Sequence, residues 1–183
     1  KLSTSKIIIQ QQDELFERYG EGWSWDDYTS GFMPERSRLP MYGNCARFYL
    51  ETDRLKWTPH QFPFSLDSTE AKPSQLFSIA RENESNRMKL IKSGKPFEKA
   101  TIPIHQVNKL VPLLFMMLGY DAGILYSGSL TEKSSVPFNV VKSQPTDTIL
   151  QIMMHRSDNF FSEQTLLMAS DILLDKMSDS EII

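Results

Sequence analysis

Residues 153 to 164 read MMHRSDNFFSEQ, setting a hydroxyl, a carboxylate and an amide side by side at Ser157, Asp158 and Asn159. A serine hydroxyl can relay a proton, and an asparagine amide can hold a peptide backbone through its paired donor and acceptor. The same residue types are favoured helix N-caps, and Glu163 would then fall in the first turn, where it suits the helix dipole. A second candidate group lies in GEGWSWDDYTSGF, residues 20 to 32, where Asp26 and Asp27 adjoin Trp25 and Tyr28. Asp27 beside Trp25 and Phe32 offers a charge and an apolar wall, which together suit an ammonium on an aliphatic stem. The competing reading of Asp26 and Asp27 is a loop Asx-turn, and Trp23 and Trp25 read as packing residues.

Other reactive side chains are sparse. Cys45 is the single cysteine, so no intramolecular disulfide can form, and it reads as a small core residue. His60, His105 and His155 stand far apart without metal-ligand spacing, so neither a metal nor another cofactor is expected. His155 reads as a solvent-facing group at a helix end. Asn83-Glu84-Ser85 is a glycosylation sequon by pattern only.

The elements that must position these groups follow from periodicity. Ile7 to Ile9 is a β-branched run suited to a strand, and Ala46, Phe48 and Leu50 alternate with polar neighbours as in a half-buried strand. Tyr42-Gly43-Asn44 signals a turn. From Trp57 to Pro103 the proline-broken sequence predicts short strands and turns. Val107, Leu110, Val111, Leu114 and Leu118 recur at helical spacing, Pro112 must start or bend that helix, and Gly119 supplies the stop. A second helix is predicted over Asp147 to Arg156, entered through Pro145 and Thr146, with Ile149, Ile152 and Met153 on its apolar face. A third is predicted from about Phe160 to Lys176, with Phe161, Leu166, Met168, Ala169, Ile172 and Leu173 as core candidates. Met116, Met117, Met153 and Met154 read as helix-core filling. The Ser-Asp-Asn triplet therefore falls in a short link between two helices.

The 183 residues suffice for one domain or slightly more, and 20 basic residues against 23 acidic ones give a net charge of −3. Without a positive field or a Lys/Arg run, a nucleic-acid partner is not expected. The chain divides into a β-rich region, 1–122, and a helical region, 123–183, an α+β organisation.

The run SQPTDTILQIMMHRSDNFFSEQTLLMAS, Ser143 to Ser170, resembles D-Ala-D-Ala carboxypeptidase/endopeptidases of the class C low-molecular-mass penicillin-binding protein family. There a Ser-Pro element starts a helix of the Leu-x-x-Ile-Met-x-x-Ser-Asp-Asn type, and Ala-Glu-x-Leu-Leu continues. Here Gln144 precedes Pro145, and Ser162 replaces the small alanine. GEGWSWDDYTSGFMPERSRLPMYGN, Gly20 to Asn44, is similar to that family's inserted-domain motif. The resemblance covers nearly the whole chain and is weakest from about Glu51 to Lys99.

It implies a β-rich inserted domain followed by part of the helical lobe of a penicillin-binding/β-lactamase-like serine transpeptidase domain. It makes Ser157 the proton-relaying hydroxyl, Asn159 the clamp on the substrate amide and Asp158 a structural residue. Asp27 would recognise the side-chain ammonium of a peptidoglycan stem peptide, with Phe32 packed on its aliphatic part. Such an enzyme needs a nucleophilic Ser three residues before a Lys. Ser3-Thr4-Ser5-Lys6 has that spacing, but it leads directly into a strand-like run rather than a buried helix, so Ser3 is not expected to be the nucleophile. No Lys-Thr-Gly or His-Thr-Gly occurs. The expectation is an internal fragment carrying the second of three catalytic motifs, inactive alone, from a periplasmic or envelope-associated protein that binds stem peptides and, when intact, β-lactams. Two alternatives remain: a non-catalytic relative that binds wall peptides, and an unrelated mixed α/β interaction domain whose triplet is only a cap.

Overall fold

The computed structural model describes residues 6–11, 16–70, 76–93, 97, 99–126 and 142–183. Among them the β-branched run forms β1 (Lys6–Gln11), and the alternating segment forms β2 (Cys45–Glu51), followed by β3 (Arg54–Thr58). The two-residue turn between β2 and β3, Thr52 and Asp53, has φ of 50° and 60°, the left-handed pair that a tight hairpin requires. Further strands are β4 (Ser65–Glu70), β5 (Ser78–Arg81), β6 (Arg87–Lys92), β7 (Lys99–Pro103) and β8 (Asp121–Tyr126). They form two three-stranded sheets, ordered β3-β2-β7 and β4-β6-β5, and a parallel pair of β1 with β8. The molecule is thus mixed α+β, and β8 spans the division drawn at residue 122.

The two larger sheets share one core. Ala46, Phe48 and Ile102 face it from one, Ile79, Met88 and Leu90 from the other, with Phe62 and Val107 between. The intervening residues along each strand, such as Arg47 in β2 and Arg87 and Lys89 in β6, point outward, as a period of two dictates. Leu50 departs from the expected alternation and is exposed, because β2 runs past the end of the shared core.

The helices are α1 (Val107–Met117), α2 (Thr146–Arg156), α3 (Asn159–Leu174) and the single turn α4 (Asp179–Ile182). Pro112 lies inside α1 and is buried with Val107 and Val111, while Gly119, at φ 86°, follows the helix end. Several helix-face expectations are corrected. Met116, Met117 and Leu118 are exposed on α1, and Met154 is 74 % exposed on α2, which has no buried residue. On α3 the buried side is Phe160, Gln164, Leu167 and Ser170, whereas Ile172 and Leu173 are 82 % and 71 % exposed. Two of those buried groups are polar, so the apolar pattern alone pointed to the wrong face. Among the described residues no helix is long and apolar enough to cross a membrane.

Polar groups in the segment 17–44 hold these parts together. Arg36, nearly fully buried, donates to the Glu17 carbonyl from Nε (2.9 Å) and Nη2 (2.6 Å). Its Nη1 reaches Glu163 of α3 at 3.1 Å and Asp179 of α4 at 2.5 Å. Glu163, expected to serve the dipole of its own helix, is used instead in this long-range pair. Burial would raise the Asp179 carboxyl, but the hydrogen bond and charge of Arg36, with two backbone amides, hold it below its ordinary value. Gln164 exchanges two bonds with the Ser37 backbone, accepting at 3.2 Å and donating at 2.8 Å. Gly20 leaves the space that Glu163 needs, since a Cβ there would lie 2.6 Å from the carboxyl carbon.

Glu35 is buried on the other side of the same segment. One oxygen accepts from the Gln106 amide at 2.8 Å, supplying negative charge at the start of α1, whose first turn has no acid of its own. The other lies 2.7 Å from His105 Nδ1 and 3.7 Å from Arg81 Nη2. Arg81 is fully buried at its side chain and donates to the carbonyls of Glu82, Ser85 and Tyr28. Removing one partner from a buried ion pair strands the other's charge. Glu35→Ala is therefore expected to lower the unfolding free energy by about 3–5 kcal/mol, read as an earlier midpoint in urea. An unchanged midpoint would show that Arg81 finds solvent or another acceptor.

Candidate functional site

The link between α2 and α3 is two residues, Ser157 and Asp158, and these with Asn159 take three different backbone roles. Ser157 takes the left-handed conformation (φ 48°, ψ 51°) that ends α2, and the Asp158 amide donates back to the Met153 carbonyl at 3.0 Å, a six-residue closure typical of helix C-termini. Asp158 is the N-cap of α3, and its Oδ1 accepts from the Phe161 amide at 3.1 Å. Asn159 is the first residue of the helix proper. Capping thus accounts for the Asp158 side chain and the Ser157 backbone, and for neither the Ser157 hydroxyl nor the Asn159 amide. Asp175 ends α3 in the same left-handed conformation, so the backbone of Ser157 goes with closing a helix.

Asn159 Nδ2 donates to the Phe32 carbonyl at 3.3 Å, joining two parts of the chain that are 127 residues apart. Around this bond lies an open cavity of about 320 Å³, lined by Gly31, Phe32, Thr101, Arg156, Ser157, Asp158, Asn159 and Phe160. Gly31 makes the closure possible, because a Cβ at that position would stand 2.9 Å from the Thr101 carbonyl of β7. The cavity offers an aromatic wall, hydroxyls, an amide with a free acceptor, and a guanidinium. Three of the four residues expected at the site, Phe32, Ser157 and Asn159, therefore line one space.

The fourth, Asp27, does not line that cavity. It ends the single 3-10 turn Trp25–Asp27, where its amide donates to the Ser24 carbonyl at 3.1 Å. The Asp26 carboxylate is engaged by a side chain rather than by the backbone amide of an Asx-turn: Ser24 Oγ donates to its Oδ1 at 2.5 Å. The next residue, Tyr28, is fixed by Arg81, whose guanidinium carbon lies 5.2 Å from the ring centroid and whose Nη2 donates to the Tyr28 carbonyl. Trp25, read as a packing residue, is 78 % exposed, so the loop turns an indole outward. Ser3 lies outside the described residues.

Sequence reasoning missed Arg156 and Thr101 at the cavity and the Glu35–His105–Arg81 cluster behind it. Arg156 adjoins the triplet and was within reach of inspection. Glu35 and His105 carry no local signal, since their meeting depends on 70 residues of intervening fold. His155 is exposed in the last turn of α2, as expected. No cluster of three or more metal-ligating side chains occurs among the described residues.

Cys45 is half-buried, with its Sγ 3.9 Å from the Gly31 carbonyl. Burial, with a further push from the Asp158 charge, raises its thiol to about 12. A thiol so raised stays protonated at neutral pH, which removes it as a thiolate nucleophile.

Comparison with protein-family models and with curated proteins gives no match to this chain.

Two outcomes are expected from this geometry. Asp158→Ala should cost about 1 kcal/mol of stability in denaturant unfolding, within the usual range for an N-cap, and more than Asn159→Ala. The reverse order would mean that Asn159 serves the helix rather than the cavity. At pH 8 the folded chain should react with iodoacetamide roughly three orders of magnitude more slowly at Cys45 than the unfolded chain does, measured by mass spectrometry. Comparable rates would show the thiol to be open and ionisable.

Proposed function

We propose that this chain is part of a serine-type D-Ala-D-Ala carboxypeptidase/endopeptidase acting on peptidoglycan stem peptides through an acyl-serine intermediate. In this reading the strands belong to a β-rich inserted domain, and α2 and α3 to the helical lobe of a penicillin-binding/β-lactamase-like domain. The observation that carries it is the meeting of the two motifs: Phe32 from the aromatic segment and Ser157 and Asn159 from the triplet line one cavity. Neither motif needs the other for capping or for turn formation, so their convergence favours a shared ligand over two separate local roles.

The chemistry assigned to these groups is limited and specific. Ser157, whose hydroxyl has no partner among the described residues, relays the proton between the nucleophile and the leaving amine. Asn159 uses its side-chain oxygen and second N–H to hold the peptide backbone on the acyl side. Phe32 packs on the aliphatic part of the stem-peptide side chain, and Asp27 receives its ammonium where the loop reaches that far. The attacking serine, its lysine and the oxyanion donors come from other parts of the whole protein, which resides in the cell envelope or periplasm and takes up β-lactams as substrate mimics. The chemistry requires no metal or other cofactor. The second reading, a wall-peptide binding protein that lacks turnover, uses the same cavity without the nucleophile.

Incubation with benzylpenicillin followed by intact-mass measurement separates these readings. The product of the complete gene should gain the mass of one penicilloyl group, and this chain alone should gain none. Labelling of this chain would move the nucleophile to Ser3. Absence of labelling in the complete protein would favour the binding protein or the bare helix cap.

A further inference from the structure

The cavity contains one charge that the proposed chemistry does not use. Arg156 ends α2 and lines the same space as Phe32 and Asn159. Arg18, Arg36, Arg38, Arg81 and Arg87 each face a carboxylate, whereas Arg156, like Arg47 and Arg54 on β2 and β3, makes no ion pair among the described residues, and of these three it alone lines this cavity. Its backbone belongs to the last turn of α2, next to the closure that sets Ser157, and its side chain is exposed. The other charged lining residue, Asp158, already commits one oxygen to the Phe161 amide.

We propose that Arg156 is a specificity residue that binds a free carboxylate on the peptide, beside the amide held by Asn159. The site then selects acidic peptides over their amidated counterparts. This rests on the peptidase reading, which it deepens by naming the substrate's charge. Three features combine here: the guanidinium presents paired donors suited to a carboxylate, the Asn159 amide matches a backbone amide, and Phe32 covers an aliphatic stem. The volume, about 320 Å³, lies at the small end of the range for ligand sites. A role in compensating the α2 dipole would be served equally by lysine, whereas two-point carboxylate binding would not.

The test uses the full-length protein and two synthetic peptides, γ-D-glutamyl-L-lysyl-D-alanyl-D-alanine with the glutamyl α-carboxyl free or converted to the carboxamide. Release of D-alanine gives kcat/KM for each, and the acid-to-amide ratio is independent of how much of a variant is correctly folded. The wild type should prefer the acid by about tenfold, the size of one charge-assisted bond. Arg156→Ala should bring the ratio close to one, mainly through KM, and Arg156→Lys should fall between. A wild-type ratio near one, an Arg156→Ala variant that keeps the preference, or an Arg156→Lys variant indistinguishable from wild type would overturn the assignment. If the wild-type protein cleaves neither peptide and fails to label with benzylpenicillin, the peptidase reading falls and takes this one with it. Labelling without any cleavage of the acid would overturn the Arg156 proposal while leaving the enzyme class standing.

Discussion

Burying the Glu35 carboxylate is the constraint around which the rest of this structure is arranged. An ionised carboxylate loses its hydration when it is buried, and the loss is tolerable only if charges and N–H donors replace water. Here the replacements come from separate parts of the chain: Arg81 from β5, His105 and the Gln106 amide from the approach to α1, and Tyr19 from the preceding loop. Satisfying one side chain therefore fixes the relative placement of the loop, the second sheet and the first helix. Arg18 and Glu84 extend the network toward solvent, where Arg18 holds the Glu84 carboxyl below its ordinary value.

Next along the chain, Arg36 does the corresponding work toward the helices. Because Glu35 and Arg36 are adjacent and both buried, their side chains leave the backbone in different directions, one toward the β-rich core and the other toward α3 and α4. Asn44 closes the segment, donating to the Glu35 carbonyl at 2.8 Å and to Ser37 Oγ at 2.9 Å while accepting from the Met41 amide. The three successive left-handed residues Tyr42, Gly43 and Asn44 are sustained by that set of bonds. An irregular loop is thereby made rigid enough to carry Phe32 at one wall of a cavity and to receive a bond from Asn159 at the same place.

The cavity itself is a consequence of two helix ends. α2 closes through a left-handed serine, and α3 opens through an aspartate cap, so three consecutive residues turn the chain and leave the first and third side chains free of helical duties. The middle residue gives its oxygen to the helix. One tripeptide thus both caps a helix and lines a cavity.

Local chemistry was legible in the sequence: the strand at Ile7 to Ile9, the alternation in β2, the glycine stop after α1, the two helices flanking the triplet and its place between them. These depend on backbone preferences and on side-chain periods that act within a few residues. The buried face of α1 was legible up to its last turn, since Val107 and Val111 are buried and Leu110 and Leu114 pack against the core; that of α3 was not, because Arg36 and Ser37 draw Glu163 and Gln164 inward at the expense of apolar residues on the other side. Nor was the position of Arg156, or the meeting of Glu35 with His105. By itself the sequence determined which segments become strands, helices and turns, and which side chains are available to a site. Only the tertiary structure decided which of them meet, because burial energy depends on partners far apart along the chain, and no local pattern encodes that choice.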